Sequence, residues 1–183
     1  MAKNLCLYLK AELPPITSFL GGVVAQEAIK LTGKFTPFNQ WFEFEFNYLT
    51  KEYNEKTNKV KKYMEETRYI EQIRVFGEEV QNKLNSLNIF VVGAGAIGCE
   101  YLKNLAMMGI SSKDGILTLT NFDKIELSNL NRQFLFGENN IGQFKSEVAK
   151  YYVKKMNNSI NINAYTNLVS QELEKYFSDY FNI

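Results

Sequence analysis

An α/β fold with a doubly wound, mainly parallel sheet is predicted by three observations. From Arg68 onward, strand-like apolar runs alternate with helix-like segments. The first such run, Ile89-Phe90-Val91-Val92, feeds straight into Gly93-Ala94-Gly95-Ala96-Ile97-Gly98. A helical pattern then opens at once and continues through Met108. Strands and helices alternating at this spacing imply right-handed crossovers and parallel strands. Ligands of such sheets lie beyond the carboxyl ends of the strands.

Taken in order, residues 14–33 begin with Pro14-Pro15, and Phe19, Leu20, Val23, Val24, Ile29 and Leu31 suit one helix. Thr17 or Ser18 is the expected cap and Gly33 the stop. Residues 41–46, Trp-Phe-Glu-Phe-Glu-Phe, alternate as a strand. Residues 47–67 are polar, rich in Lys and Asn and barely periodic, which reads as a linker. Residues 68–86 form a helix broken at Gly77, 88–93 the first strand, and 97–109 a helix closed by Gly109. A second strand is expected over 115–120 and a helix over 142–156, its apolar side formed by Phe144, Val148, Ala149, Val153 and Met156. A third strand at 161–166 and a final helix at 171–180 follow.

Composition narrows the function. With 183 residues, 45% of them apolar, the chain can build one sizeable core, or one domain plus part of another. A net charge of +1 gives no case for nucleic acid or a charged membrane surface. No apolar run approaches the roughly 20 residues of a spanning helix, and the amino terminus lacks the pattern of a secretory signal; the expectation is a soluble intracellular protein. Cys6 and Cys99 make no disulfide framework, and Cys99, on an apolar helix one residue past the glycines, reads as a buried thiol. The absence of histidine excludes His-dependent triads and His-ligated zinc within the chain. Among 18 Lys and only three Arg, each Arg is the more informative cation.

The glycine segment is a phosphate-binding device. Gly93 permits a tight turn, Gly95 lets backbone approach a phosphate, and Gly98 lets the helix lie close on the sheet. The helix N-terminus offers unpaired N–H groups to an anion. Where a dinucleotide site would place an acid for the ribose, the chain has Asn121-Phe122-Asp123. Asn129, Arg132 and Gln133 then fall within five residues, and Lys145 follows thirteen residues after Arg132. Amide hydrogen-bonders and two cations at the mouth of a nucleotide pocket can hold a polyphosphate and stabilise the charge that develops as a phosphoanhydride breaks. An isolated Arg-Gln would read as a solvated loop.

The glycine segment, residues 121–136 (Asn-Phe-Asp-Lys-Ile-Glu-Leu-Ser-Asn-Leu-Asn-Arg-Gln-Phe-Leu-Phe) and the helix carrying Lys145 resemble the active adenylation domain of the ubiquitin-activating enzymes. Residues 12–46 resemble the last helix and strand of the preceding inactive half. The resemblance implies a Rossmann-like, incomplete adenylation fold divided as residues 1–46, linker 47–67 and active half 68–183. The direct run from one half into the other favours the fused, ubiquitin-type enzyme over activators of other modifiers.

By the same resemblance, the C-terminal glycine carboxylate of ubiquitin attacks the α-phosphate of Mg-ATP, and a cysteine on a later domain takes the acyl group. Gly93, Gly95 and Gly98 would lie beside the nucleotide, with Asn129, Arg132, Gln133 and Lys145 on its ribose and phosphates and Arg132 and Lys145 acting catalytically. Asn121 stands where the family has its ribose aspartate, so that Asn121→Asp is expected to tighten ATP binding, and Asp123 matches the family's second acid. Glu71 stands where bacterial relatives carry an arginine; in the fused enzymes the active half lacks that arginine and takes it from the inactive half, so Glu71 fits the active half. The magnesium ligand and thioester cysteine are expected outside this segment, which by itself is expected to be inactive and to self-associate. Partners would be ubiquitin and, through the full-length protein, ubiquitin-conjugating enzymes, with no nucleic acid or membrane, in cytoplasm and nucleus. A different modifier, an NAD-dependent oxidoreductase and a non-catalytic interaction module are the alternatives.

Overall fold

The computed structural model describes residues 11–44 and 67–169. Cys6, Glu45 and Phe46 of the strand expected at 41–46, almost all of the linker and the expected helix at 171–180 lie outside the described residues. The chain forms two compact units, 1–81 and 82–183.

In the first unit, helix α1 (Pro14–Lys30) starts earlier than its expected hydroxyl caps. Leu13 is the N-cap, without a side-chain hydrogen bond, and the prolines fill the opening positions. Proline suits that place because its missing N–H would be unpaired there and its φ is already helical. Thr17 instead donates its hydroxyl back to the carbonyls of Leu13 and Pro14 (3.3 and 3.0 Å) inside the first turn. The helix ends at Lys30, and Gly33 adopts φ +86° in the turn that follows.

Residues 41–44 are not a strand, contrary to their alternation. A strand exists only through a ladder with another strand, and 41–44 pair with no described residue. Phe42 and Phe44 lie against Phe19 instead, with ring centroids 6.4 and 4.4 Å away. No residue of α1 is buried, and Trp41 is 92% exposed. Helices α2 (Ile70–Phe76) and α3 (Glu78–Asn85) are separated at Gly77, as expected, by a φ of +86° that glycine adopts without strain. Buried Gln72 donates through Nε2 to Oε1 of buried Gln81 at 2.8 Å.

The second unit holds a parallel sheet of β1 (Ile89–Val92), β2 (Leu117–Thr120) and β3 (Ile162–Tyr165) in that spatial order. Ile89 is in register with Leu117 and Leu117 with Ile162, so the carboxyl ends at Val92, Thr120 and Tyr165 are level. Helix α4 (Ala96–Met108) connects β1 to β2, and α5 (Lys145–Met156) lies between β2 and β3. The two helices pack on one another, as successive same-handed crossovers require. Their contact builds the core: Cys99, Leu102 and Ala106 of α4, Leu117 and Leu119 of β2, and Val148, Ala149 and Val153 of α5. Gly109 closes α4 in the left-handed conformation, as its position predicted. Phe144, expected on the apolar side of α5, is its exposed N-cap.

Two polar residues lock the opposite end of the sheet. Ser111, fully buried, donates to the Leu87 carbonyl at 2.6 Å, and its own carbonyl accepts from Asn161 N–H. Buried Asn157 donates to the Ala106 carbonyl at the end of α4 (2.9 Å), tying the exit of α5 to it. Gly115 lies tightly against this end, where an added Cβ would fall 2.2 Å from the Leu87 carbonyl oxygen.

Candidate nucleotide site

The level carboxyl ends of β1 and β2 form the floor of the site. Gly93 leaves β1 with φ +95° and donates its N–H to the Thr120 carbonyl at 2.8 Å, fixing the turn to β2. Gly95 is the extended N-cap of α4 and has no side chain to satisfy that helix end; a Cβ there would meet nothing within 4 Å, so the space beside it is open. Gly98 is required for a more local reason than helix–sheet packing. Its Cβ would fall 2.2 Å from the Gly93 carbonyl oxygen, so the close approach it permits is of the helix to the turn itself.

Immediately below, Cys99 is fully buried and points its thiol at the Ala94 carbonyl at 3.7 Å. Burial pushes its pKa up to about 11. A thiol so held is not a nucleophile at neutral pH.

Beyond β2 the chain is laced to the start of α5. Lys145 N–H donates to the Asp123 carbonyl and Ile125 N–H to the Gln143 carbonyl, both at 2.9 Å. Ser146, fully buried, donates its hydroxyl to the Asn121 carbonyl at 3.0 Å, while Asn121 N–H donates to the Tyr165 carbonyl at the end of β3. These bonds bring Asn121, Asp123 and Lys145 together. The Lys145 ammonium, on a residue only 7% exposed, lies 3.3 Å from Asp123 Oδ2, and Asn121 Nδ2 lies 3.5 Å from the same oxygen. Turning the amide over would set oxygen against carboxylate, so Asp123 fixes its orientation. Asn121 Oδ1 is thereby left buried without a partner, an acceptor in need of a donor such as a hydroxyl.

The residues between are arranged differently. Asn129 is buried and spends its Oδ1 on the Glu126 N–H, 3.0 Å away, capping the short 3-10 turn Leu127–Asn129. Arg132 is exposed and donates to the Ser128 carbonyl (2.8 Å) and to Asn131 Oδ1 (3.1 Å). No contact joins its guanidinium to the Asn121–Asp123–Lys145 group among the described residues. Gln133, by contrast, is 4% exposed and its Oε1 has no partner, a second buried acceptor without a donor. Sequence reasoning missed Ser146, because a serine in the first turn of a helix looks ordinary and its partner lies 25 residues earlier.

The acceptors, the buried ammonium and the open space at Gly95 suit a ligand with hydroxyls and anionic oxygens, as a nucleotide has. They do not by themselves make a magnesium site. The described residues contain no cluster of three or more metal-ligating side chains, and Asp123 is engaged by Lys145. No described helix is long and apolar enough to cross a membrane.

Comparison with known proteins places the chain among relatives of known family. The sequence profile of the ThiF family matches residues 68–182. The chain is 45% identical over 184 residues to ubiquitin-activating enzyme E1 2 of Arabidopsis thaliana, covering 99% of the chain and 17% of that protein. It is 39% identical to human ubiquitin-like modifier-activating enzyme 1, with the same coverages. The chain thus spans about a sixth of the length of these relatives. Among solved structures it resembles the Escherichia coli tRNA N6-threonylcarbamoyladenosine dehydratase TcdA in complex with AMP, with TM-score 0.56 and 26% identity over 62% of this chain and 44% of that one. It also resembles E. coli MccB with ATP, with TM-score 0.53 and 29% identity over 62% and 35%.

Proposed function

The chain belongs to the ThiF family, and from that premise we propose that it supplies part of the ATP site of a ubiquitin-activating enzyme. The observation that carries the proposal is the juxtaposition, beyond the carboxyl ends of parallel strands, of a glycine turn, an unpartnered amide oxygen at Asn121 and the buried ammonium of Lys145. The 45–47% identity to plant ubiquitin-activating enzymes over 94–99% of the chain supports ubiquitin as the acyl donor over the substrates of the tRNA-modifying and MccB enzymes.

In this reading the ribose donates a hydroxyl hydrogen bond to Asn121 Oδ1 and the glycine turn faces the phosphates. Lys145, exchanging Asp123 for phosphate oxygen, and Arg132, swinging from the Ser128 carbonyl, stabilise the negative charge that builds as the ubiquitin carboxylate attacks the α-phosphorus and pyrophosphate departs. Such preorganised donors act strongly where water is excluded. Cys99 takes no part in thioester formation. Magnesium, held by residues beyond this group, would neutralise phosphate charge. Ubiquitin and ubiquitin-conjugating enzymes are the proposed partners of the complete protein, and cytoplasm and nucleus its place of action.

The test is ATP–pyrophosphate exchange by the complete gene product with and without ubiquitin. Ubiquitin-dependent exchange is expected. Exchange only with another modifier would reassign the substrate, and a thermal shift with NAD but none with ATP would overturn the nucleotide assignment.

A further inference from the structure

We propose that Ser146 is a positioning residue for the nucleotide, acting through Asn121; the inference rests on the ATP-site reading above. Serine near a helix start ordinarily uses its hydroxyl on the helix's own first N–H groups. Here the N-cap is Phe144, which has no capping oxygen, and Ser146 turns away from the helix to donate to the Asn121 carbonyl at 3.0 Å. Its side chain is fully buried, so no water competes for that bond.

The position of the bond gives it a function. Asn121 is the first residue beyond β2, and its peptide is held from two sides. Its N–H goes to Tyr165 of β3 and its carbonyl receives the Ser146 hydroxyl. The Asn121 side chain presents the unpartnered Oδ1, and the residue before Ser146 is Lys145. One hydroxyl therefore joins the backbone beneath the hydroxyl-binding amide to the helical turn that carries the phosphate-binding ammonium. It fixes the spacing between the two groups that must engage one nucleotide at its ribose and phosphate ends. Without it, the Lys145 N–H to Asp123 carbonyl bond still tethers the helix, but two residues further along the loop. Asn121 would then be free to shift relative to Lys145, and small misplacements of binding groups are costly.

The experiment is a double-mutant cycle on ATP affinity, measured by calorimetry on the complete gene product, with thermal midpoints recorded for every variant. Ser146→Ala should weaken ATP binding about five- to tenfold, the value of one buried hydrogen bond. In an Asn121→Ala background, Ser146→Ala should cost less than twofold, because the amide it positions is already gone. Ser146→Thr keeps the hydroxyl and should recover most of the affinity. A Ser146→Ala loss of equal size in both backgrounds, or no loss in either, would overturn the positioning role, the first by showing a purely structural effect. If Asn121→Ala, Arg132→Ala and Lys145→Ala all leave ATP affinity unchanged, the ATP-site reading itself fails and takes this inference with it. Full sensitivity of those three with an unaffected Ser146→Ala overturns this inference alone.

Discussion

At the scale of single residues, the two candidate cations differ in how they are held. Lys145 is buried and paired with Asp123, whereas Arg132 is exposed and bonded to loop oxygens. In the proposed site Lys145 would already be in place and Arg132 would have to move, yet each would act on phosphate charge. Alanine at either position should slow ATP–pyrophosphate exchange by about a hundredfold or more, the usual effect of losing one preorganised donor worth about 3–4 kcal/mol. Exchange at the unmodified rate in both variants would remove them from the site. Asn121→Asp is less favourable in the structure than the sequence suggested. The new carboxylate would face Asp123 across the present 3.5 Å contact, with Lys145 shared between them. A stronger bond to a hydroxyl and repulsion between carboxylates are each worth about 1 kcal/mol and oppose one another. ATP affinity, measured by calorimetry, should stay within about threefold of the parent.

Cys99 makes a pH prediction of its own. Its folded pKa of about 11 lies above the ordinary 9.0 because burial disfavours the thiolate. An acid whose pKa is raised by folding ionises more readily in the unfolded chain, so stability is intact at neutral pH and declines as pH rises from about 9 towards 11. In a Cys6→Ser background, thiolate absorbance should titrate well above the ordinary range in the folded protein and return to it in denaturant.

At the scale of elements, the glycines separate into those the fold needs and one that only a ligand would need. Alanine at Gly98 or Gly115 would drive a Cβ to 2.2 Å from a backbone carbonyl oxygen, and neither neighbour is a flexible side chain that can yield. Each substitution should cost about 2–4 kcal/mol and lower the thermal midpoint by several degrees or abolish folding. Gly95→Ala meets open space and should leave the midpoint within a degree or two while weakening ATP binding. Midpoints for the three variants check this ordering. It would be wrong if Gly95→Ala were as destabilising as Gly98→Ala.

At the scale of the molecule, the described residues of the first unit include many exposed apolar side chains. Trp41, Val24, Ile29, Phe35 and Phe38 are all more than half exposed, and α1 buries nothing. Among the described strands, β1 lies at an edge of the sheet. Exposed aromatic surface and an open strand edge both favour association. Sedimentation of the 183-residue chain should show concentration-dependent oligomers at micromolar concentration, reduced by Trp41→Ser with Phe38→Ser. A monodisperse monomer throughout that range would contradict this.

The glycine turn, the parallel order and the helices α4 and α5 were legible in the sequence because their signals are local. A 3.6-residue apolar period, a positive-φ glycine and a run of Val and Ile act within a few residues of themselves. Residues 41–46 show the limit of that logic: alternation names two faces, but only a partner strand makes a strand, and within 41–44 the Phe42 and Phe44 rings went to Phe19 instead. The same limit applies in the site. Sequence placed Asn121, Asp123 and Lys145 on two segments separated by more than twenty residues. Only the tertiary structure set Asn121 and Lys145 around one carboxylate oxygen of Asp123 and hung Asn121 on the hydroxyl of Ser146. Residue types determine which chemistry is available. Hydrogen bonds between distant segments, strong only once folding has excluded water from them, decide which groups can act together.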